Sequence, residues 1–90
     1  MQKKSFFNRG KRQDDYEKLF LRPAPVTARS GKTVYIRREF HERITRITQI
    51  IGGNEYSLFD YLDSVLEDHF NTYQGDISEL YRQRTPKNIF

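Results

Sequence analysis

The chain contains no cysteine, so disulfide staples and thiolate metal sites are both excluded. It has no run approaching the ~18 consecutive apolar residues of a membrane span. The start, Met1-Gln2-Lys3-Lys4-Ser5-Phe6-Phe7-Asn8-Arg9, lacks the apolar core of a signal peptide. No membrane partner is expected, and a cytoplasmic location is the default. Apolar residues are also scarce: they make up 36% of 90 positions, and the mean hydropathy is -0.88, so much of the chain stays in water. Those present concentrate between Val34 and Phe70, a stretch shorter than the ~40 residues that usually sustain a core without outside help. Dimerisation is the staple that remains.

Charge is unevenly placed. The net charge is +4. Residues 1–32 carry nine lysines and arginines against three acids, or +6, while residues 33–90 carry seven against nine, or -2. A basic leader of this kind either contacts a polyanion, most often nucleic acid, or is a solvated tail.

The first 31 residues hold Gly10, Pro23, Pro25 and Gly31 and keep no sustained period, which predicts a largely disordered basic arm over 1–31. A short helix from Asp15 to Leu21, halted by Pro23, is the most that region offers. Thr33-Val34-Tyr35-Ile36-Arg37 then alternates, placing Val34 and Ile36 on one face of a strand and Thr33, Tyr35 and Arg37 on the other. A helix follows from Arg38, where Phe40, Ile44, Ile47 and Ile51 recur at spacings of four, three and four and Ile50 widens the stripe. Glu39 with Arg43 and Glu42 with Arg46 stand at i,i+4, and ion pairing within the helix is the favoured explanation of both arginines over phosphate contact.

Gly52-Gly53-Asn54 is a stop signal, because these residues tolerate left-handed backbone. Ser57 caps a second helix with Asp60 at the third position. Its expected buried stripe is Leu58, Tyr61, Leu62, Val65, Leu66, His69, Phe70 and Tyr73, leaving Asp60, Asp63, Ser64, Glu67 and Asp68 to face solvent. Asp76, with Glu79 three positions on, predicts a separate short helix from Ile77 to about Gln83, and the tail frays after Thr85-Pro86. The resulting division is an arm over 1–31, a domain over 32–75, and a C-terminal helix and tail over 76–90. The fold class is mainly α with one short strand. Because one strand cannot satisfy its own backbone groups, the expected partner is the same strand of a second copy.

Strand, helix, glycine turn and capped helix in this order resemble the ribbon-helix-helix family of DNA-binding dimers. The resemblance implies an intertwined homodimer with a two-stranded intersubunit antiparallel ribbon seated in the major groove of double-stranded DNA. It assigns base reading to Thr33, Tyr35 and Arg37, and phosphate contact to Lys32, Arg38, Ser57 and Leu58. The implied dimer core is Val34, Ile36, Phe40, Ile44, Ile47, Ile51, Leu58, Leu62, Val65 and Leu66. Glu55, just ahead of the cap, departs from what suits a phosphate. A narrower resemblance rests on Tyr35-Ile36-Arg37-Arg38-Glu39-Phe40-His41-Glu42-Arg43-Ile44, continuing through Ile51-Gly52-Gly53-Asn54 to Ser57-Leu58-Phe59-Asp60-Tyr61-Leu62. That stretch is similar to small accessory proteins of Bacteroides conjugative transposons and implies a role in transfer or maintenance of a mobile element.

No enzymatic chemistry, cofactor or metal is expected. His41-Glu42 begins like a zinc protease motif, but Thr45 stands where the second histidine would be. Gly52-Gly53 lacks the Lys and Ser or Thr of a phosphate loop, and the six tyrosines read as packing residues. The competing function is a protein-interaction or dimerisation module of a transfer or partition complex, using the acidic face of the second helix without direct DNA readout.

Overall fold

A first helix, α1, occupies residues 12–20 and ends ahead of Pro23, whose ring and missing N–H cannot continue it. The structure, a computed structural model, describes residues 12–90; the part of the expected arm at positions 1–11 lies outside the described residues. After a 3-10 turn at Ala28–Ser30 the chain runs extended to Arg37, then forms α2 (Arg38–Arg46), a π turn (Ile47–Ile51) and α3 (Leu58–Arg84).

The expected strand and the ribbon-helix-helix fold are not formed. Among the described residues there is no strand. Thr33 to Arg37 is an extended strap, and residues 32–36 make no backbone–backbone hydrogen bond with any described residue. Alternation predicts a strand, but a ladder needs a partner, and the neighbouring stretch is committed elsewhere. Val34 is 76% exposed and Tyr35 96%, so the strap buries neither.

The neighbouring stretch is committed to α3. The backbone N–H of Ala24 donates to Asp60 Oδ1 at 2.8 Å, Ser64 Oγ donates to the Phe20 carbonyl at 3.2 Å, and Arg22 Nη2 meets Glu67 Oε1 at 2.9 Å. The face of α3 expected to meet solvent is therefore partly covered: Ser64 is 1% exposed, while Glu67 stays exposed. A small hydroxyl side chain lets the main chain approach the helix closely, and its hydrogen bonds to the Phe20 and Tyr61 carbonyls satisfy it there. Beside it the rings of Tyr16, Phe20 and Tyr61 cluster, with the Tyr16 and Tyr61 hydroxyls hydrogen-bonded to each other. Burial, then the hydrogen bond and charge of Tyr16, push the Tyr61 phenol well above its ordinary pKa.

Asp60 holds two elements at once. Its carboxylate accepts from the Ser57 N–H at 2.8 Å while its own N–H donates to Ser57 Oγ at 3.1 Å, completing a capping box, worth ~1 kcal/mol. The other carboxylate oxygen takes Ala24. Burial alone would raise the pKa of this group, but hydrogen bonds from the Ser57 and Ala24 N–H groups and the Ser57 hydroxyl outweigh it and hold the carboxyl below its usual range.

The predicted separate C-terminal helix is also corrected. α3 runs unbroken for 27 residues, about 40 Å, straight through Gly75-Asp76. A Cβ built at Gly75 would meet nothing within 4 Å, so this glycine faces open space. It retains its N–H for the helix ladder and costs only ~1 kcal/mol relative to alanine. Thr85, forced extended before Pro86, ends the helix.

In α2 the stripe fails after Ile47. Thr45 Oγ1 donates to the His41 carbonyl at 2.8 Å and Thr48 Oγ1 to the Thr45 carbonyl at 3.1 Å, side-chain bonds that compete with the helical ladder. The helix then widens into the π turn, closed by Gly52 N–H to the Ile47 carbonyl at 3.1 Å. The wider turn rotates everything after it out of the 3.6-residue register. Thr48, four residues from Ile44 on the same face, is buried, whereas Ile50 is 79% exposed and Ile51 is exposed beside Gln13, Tyr16 and Glu17. Among the described residues the buried apolar side chains are Leu21 and Ile44.

Candidate nucleic-acid interface

From residue 29 to residue 46 the sequence carries Arg29, Lys32, Arg37, Arg38, Arg43 and Arg46 against Glu39 and Glu42. The fold places all six cations on the outside, along the strap and α2. The i,i+4 pairs that would have neutralised Arg43 and Arg46 do not form. Glu39 turns back to Arg37 instead, with Oε1 at 3.2 Å from Nε, and the Arg37 guanidinium lies 4.3 Å over the Phe40 ring. Arg29, Lys32, Arg38, Arg43 and Arg46 make no ion pair with a described residue. For Arg43 and Arg46 the sequence favours ion pairing within the helix over phosphate contact, and neither pair is present.

The strap carries the three expected base readers, Thr33, Tyr35 and Arg37, all exposed. Of its two expected anchors, Ile36 is half-buried and Val34 is open. The Arg37–Glu39 pair stands in solvent, where such pairs contribute about 0–1 kcal/mol, so it yields readily to a stronger anion. Arg37 is also the N-cap of α2 and supplies no side-chain hydrogen bond to it, leaving first-turn N–H groups and the positive helix end beside Arg38, the first residue of the helix.

Ser57 and Leu58 stand apart from this surface. The positive end of α3 is occupied by the Asp60 carboxylate, and the Ser57 hydroxyl is committed to it; Leu58 is half-buried. Of the expected phosphate contacts, Lys32 and Arg38 lie on the basic surface. Among the expected dimer-core residues Ile44 is buried, Ile36, Ile47, Leu58, Leu62 and Val65 are half-buried, and Val34, Phe40, Ile51 and Leu66 are exposed.

A family model matches residues 1–84, and so takes in the leader, the strap and all three helices. The chain belongs to the DUF3408 family. That family is described as proteins of unknown function. No curated protein and no solved structure matches this DUF3408 member. Among its described residues no helix is long and apolar enough to cross a membrane.

Proposed function

We propose that this protein is a dimeric DNA-binding accessory or regulatory protein of a mobile element, gripping duplex DNA through the exposed basic surface from Arg29 to Arg46. One observation carries the reading: five cations on that surface have no acidic partner among the described residues. Unpaired, solvent-exposed Lys and Arg groups are what displaces condensed counterions from a phosphate backbone. Lys32, Arg38, Arg43 and Arg46 take phosphates, while Thr33, Tyr35 and Arg37 lie on the strap between them, where they face the bases. The leader adds Lys3, Lys4, Arg9 and Lys11 to the same polyanion. The mobile-element setting rests on the sequence resemblance to accessory proteins of conjugative transposons alone.

The test is binding of Arg43→Gln/Arg46→Gln to duplex DNA across a salt series. Each lost phosphate contact lowers the slope of log K against log salt by about 1, at every sequence tested. A double variant with the wild-type slope would remove α2 from the interface. Partner-protein docking is the second reading, favoured by the exposed Val34, Tyr35 and Ile50 side chains; it predicts binding to a protein that these two arginine changes leave intact.

A further inference from the structure

Beyond Glu67, α3 borders Pro25 and Phe90 near Phe70, Asn71 and Gln74. Among the described residues, every hydrogen bond and ion pair of its later side chains is made within α3 itself, as in Arg82 Nη2 to Glu79 Oε1 at 2.8 Å and Arg84 Nη1 to the Leu80 carbonyl at 3.1 Å. Yet this half of the helix is not polar all round. Leu66, Phe70, Tyr73, Ile77 and Leu80 follow one another at spacings of four, three, four and three, the period of a coiled-coil seam. Leu66, Phe70, Tyr73 and Leu80 are each 45–54% exposed. The C-terminal tail reaches back only as far as Phe90 on Phe70, ring centroids 6.0 Å apart.

The charges at the two ends of this seam choose its occupant. Continuing the same period one step each way reaches Asp63 before Leu66 and Arg84 after Leu80. A parallel copy would set Asp63 against Asp63 and Arg84 against Arg84. A copy related by a two-fold axis at Tyr73 and running antiparallel sets Phe70 against Ile77, Leu66 against Leu80, and Asp63 against Arg84 at both ends. On the flank the same arrangement brings His69 toward Asp76. Half of a large apolar side chain is on the order of 100 Å², so ten seam residues across two copies bury on the order of 1,000 Å², the size at which specific interfaces begin.

We propose that the seam of α3 formed by the exposed Leu66, Phe70, Tyr73 and Leu80 and the half-buried Ile77 pairs antiparallel with the same seam of a second copy, closed at each end by Asp63 of one copy and Arg84 of the other. The contact is isologous, so it closes on itself and stops at two. It rests on the dimer of the proposed function, for which it names the surface, and it leaves the basic surface from Arg29 to Arg46 free in both copies.

Sedimentation of the full-length chain tests it. The wild type is expected to dimerise, and Leu80→Glu, a change at an exposed position, to weaken dimerisation at least tenfold with its helical circular dichroism retained. Asp63→Arg and Arg84→Asp are each expected to weaken it severalfold, and the two together to restore it. This restoration decides the matter even if Leu80→Glu disturbs folding. A wild type that stays monomeric throughout overturns the interface and the proposed dimer together. A wild-type dimer that is indifferent to Leu80→Glu and to both charge reversals overturns the interface alone and moves the dimer to another surface.

Discussion

Gly52→Ala is expected to lower stability by roughly 2–3 kcal/mol. The backbone conformation is not the reason, since Gly52 has φ -83°, which any residue adopts. The cost is space. A Cβ there would lie 2.7 Å from the Thr48 carbonyl oxygen, 3.2 Å from Tyr56 Cδ2 and 3.3 Å from Leu21 Cδ2. The nearest of these is main chain of the π turn, which cannot swing aside as a side-chain tip would. Gly53 and Asn54 follow with φ of 62° and 64°, so the turn needs room at its first residue and left-handed backbone at the next two. Urea denaturation reads the effect as a lower midpoint with an unchanged slope. Gly75→Ala is the control: its Cβ meets nothing, so the same measurement should show a gain of up to ~1 kcal/mol. A Gly52→Ala midpoint equal to wild type would mean that the π turn gives way freely.

The second large effect is expected at Leu21→Ala, a loss of about 2–4 kcal/mol. Leu21 lies in the leader, yet it is one of the two buried apolar side chains among the described residues and packs against Gly52 at the turn between α2 and α3. Small domains hold about 5–15 kcal/mol in total, and so sparse a core places this chain at the low end, where such a loss leaves a visible unfolded fraction at rest. Among the described residues, the leader's contacts with α3 run from Tyr16 through Phe20, Arg22 and Ala24. Equal midpoints for Leu21→Ala and wild type would return the whole leader to a solvated arm.

What was legible in the sequence was local. The start of the second helix at Arg38, the glycine turn and the Ser57–Asp60 cap are settled by residues within four positions of one another, and the structure has all three. The strand failed because its pairing partner had to come from outside the segment, which no pattern within five residues reveals. The solvent face of α3 was misassigned for a related reason. Asp60, Ser64 and Glu67 look like an exposed polar face until a covering element is supplied. That element is a proline-containing stretch whose single buried anchor, Leu21, has no periodic companion. Ile50 and Ile51 were lost to the π turn, since a 3.6-residue template cannot register a wider one. At the candidate interface, the basic residues could be read directly, but whether Arg43 and Arg46 were neutralised depended on rotamers, and the structure turns Glu39 the other way.

The measurement closest to the central claim is a residue-resolved NMR titration of the ¹⁵N-labelled full-length protein with duplex DNA. Amide shifts are expected to be largest along Arg29 to Arg46, including the strap at Thr33 to Arg37 and the helix at Arg43 and Arg46, and to fade as salt is raised. Shifts confined to the α3 seam between Leu66 and Leu80, or no shifts at low salt, would contradict the account.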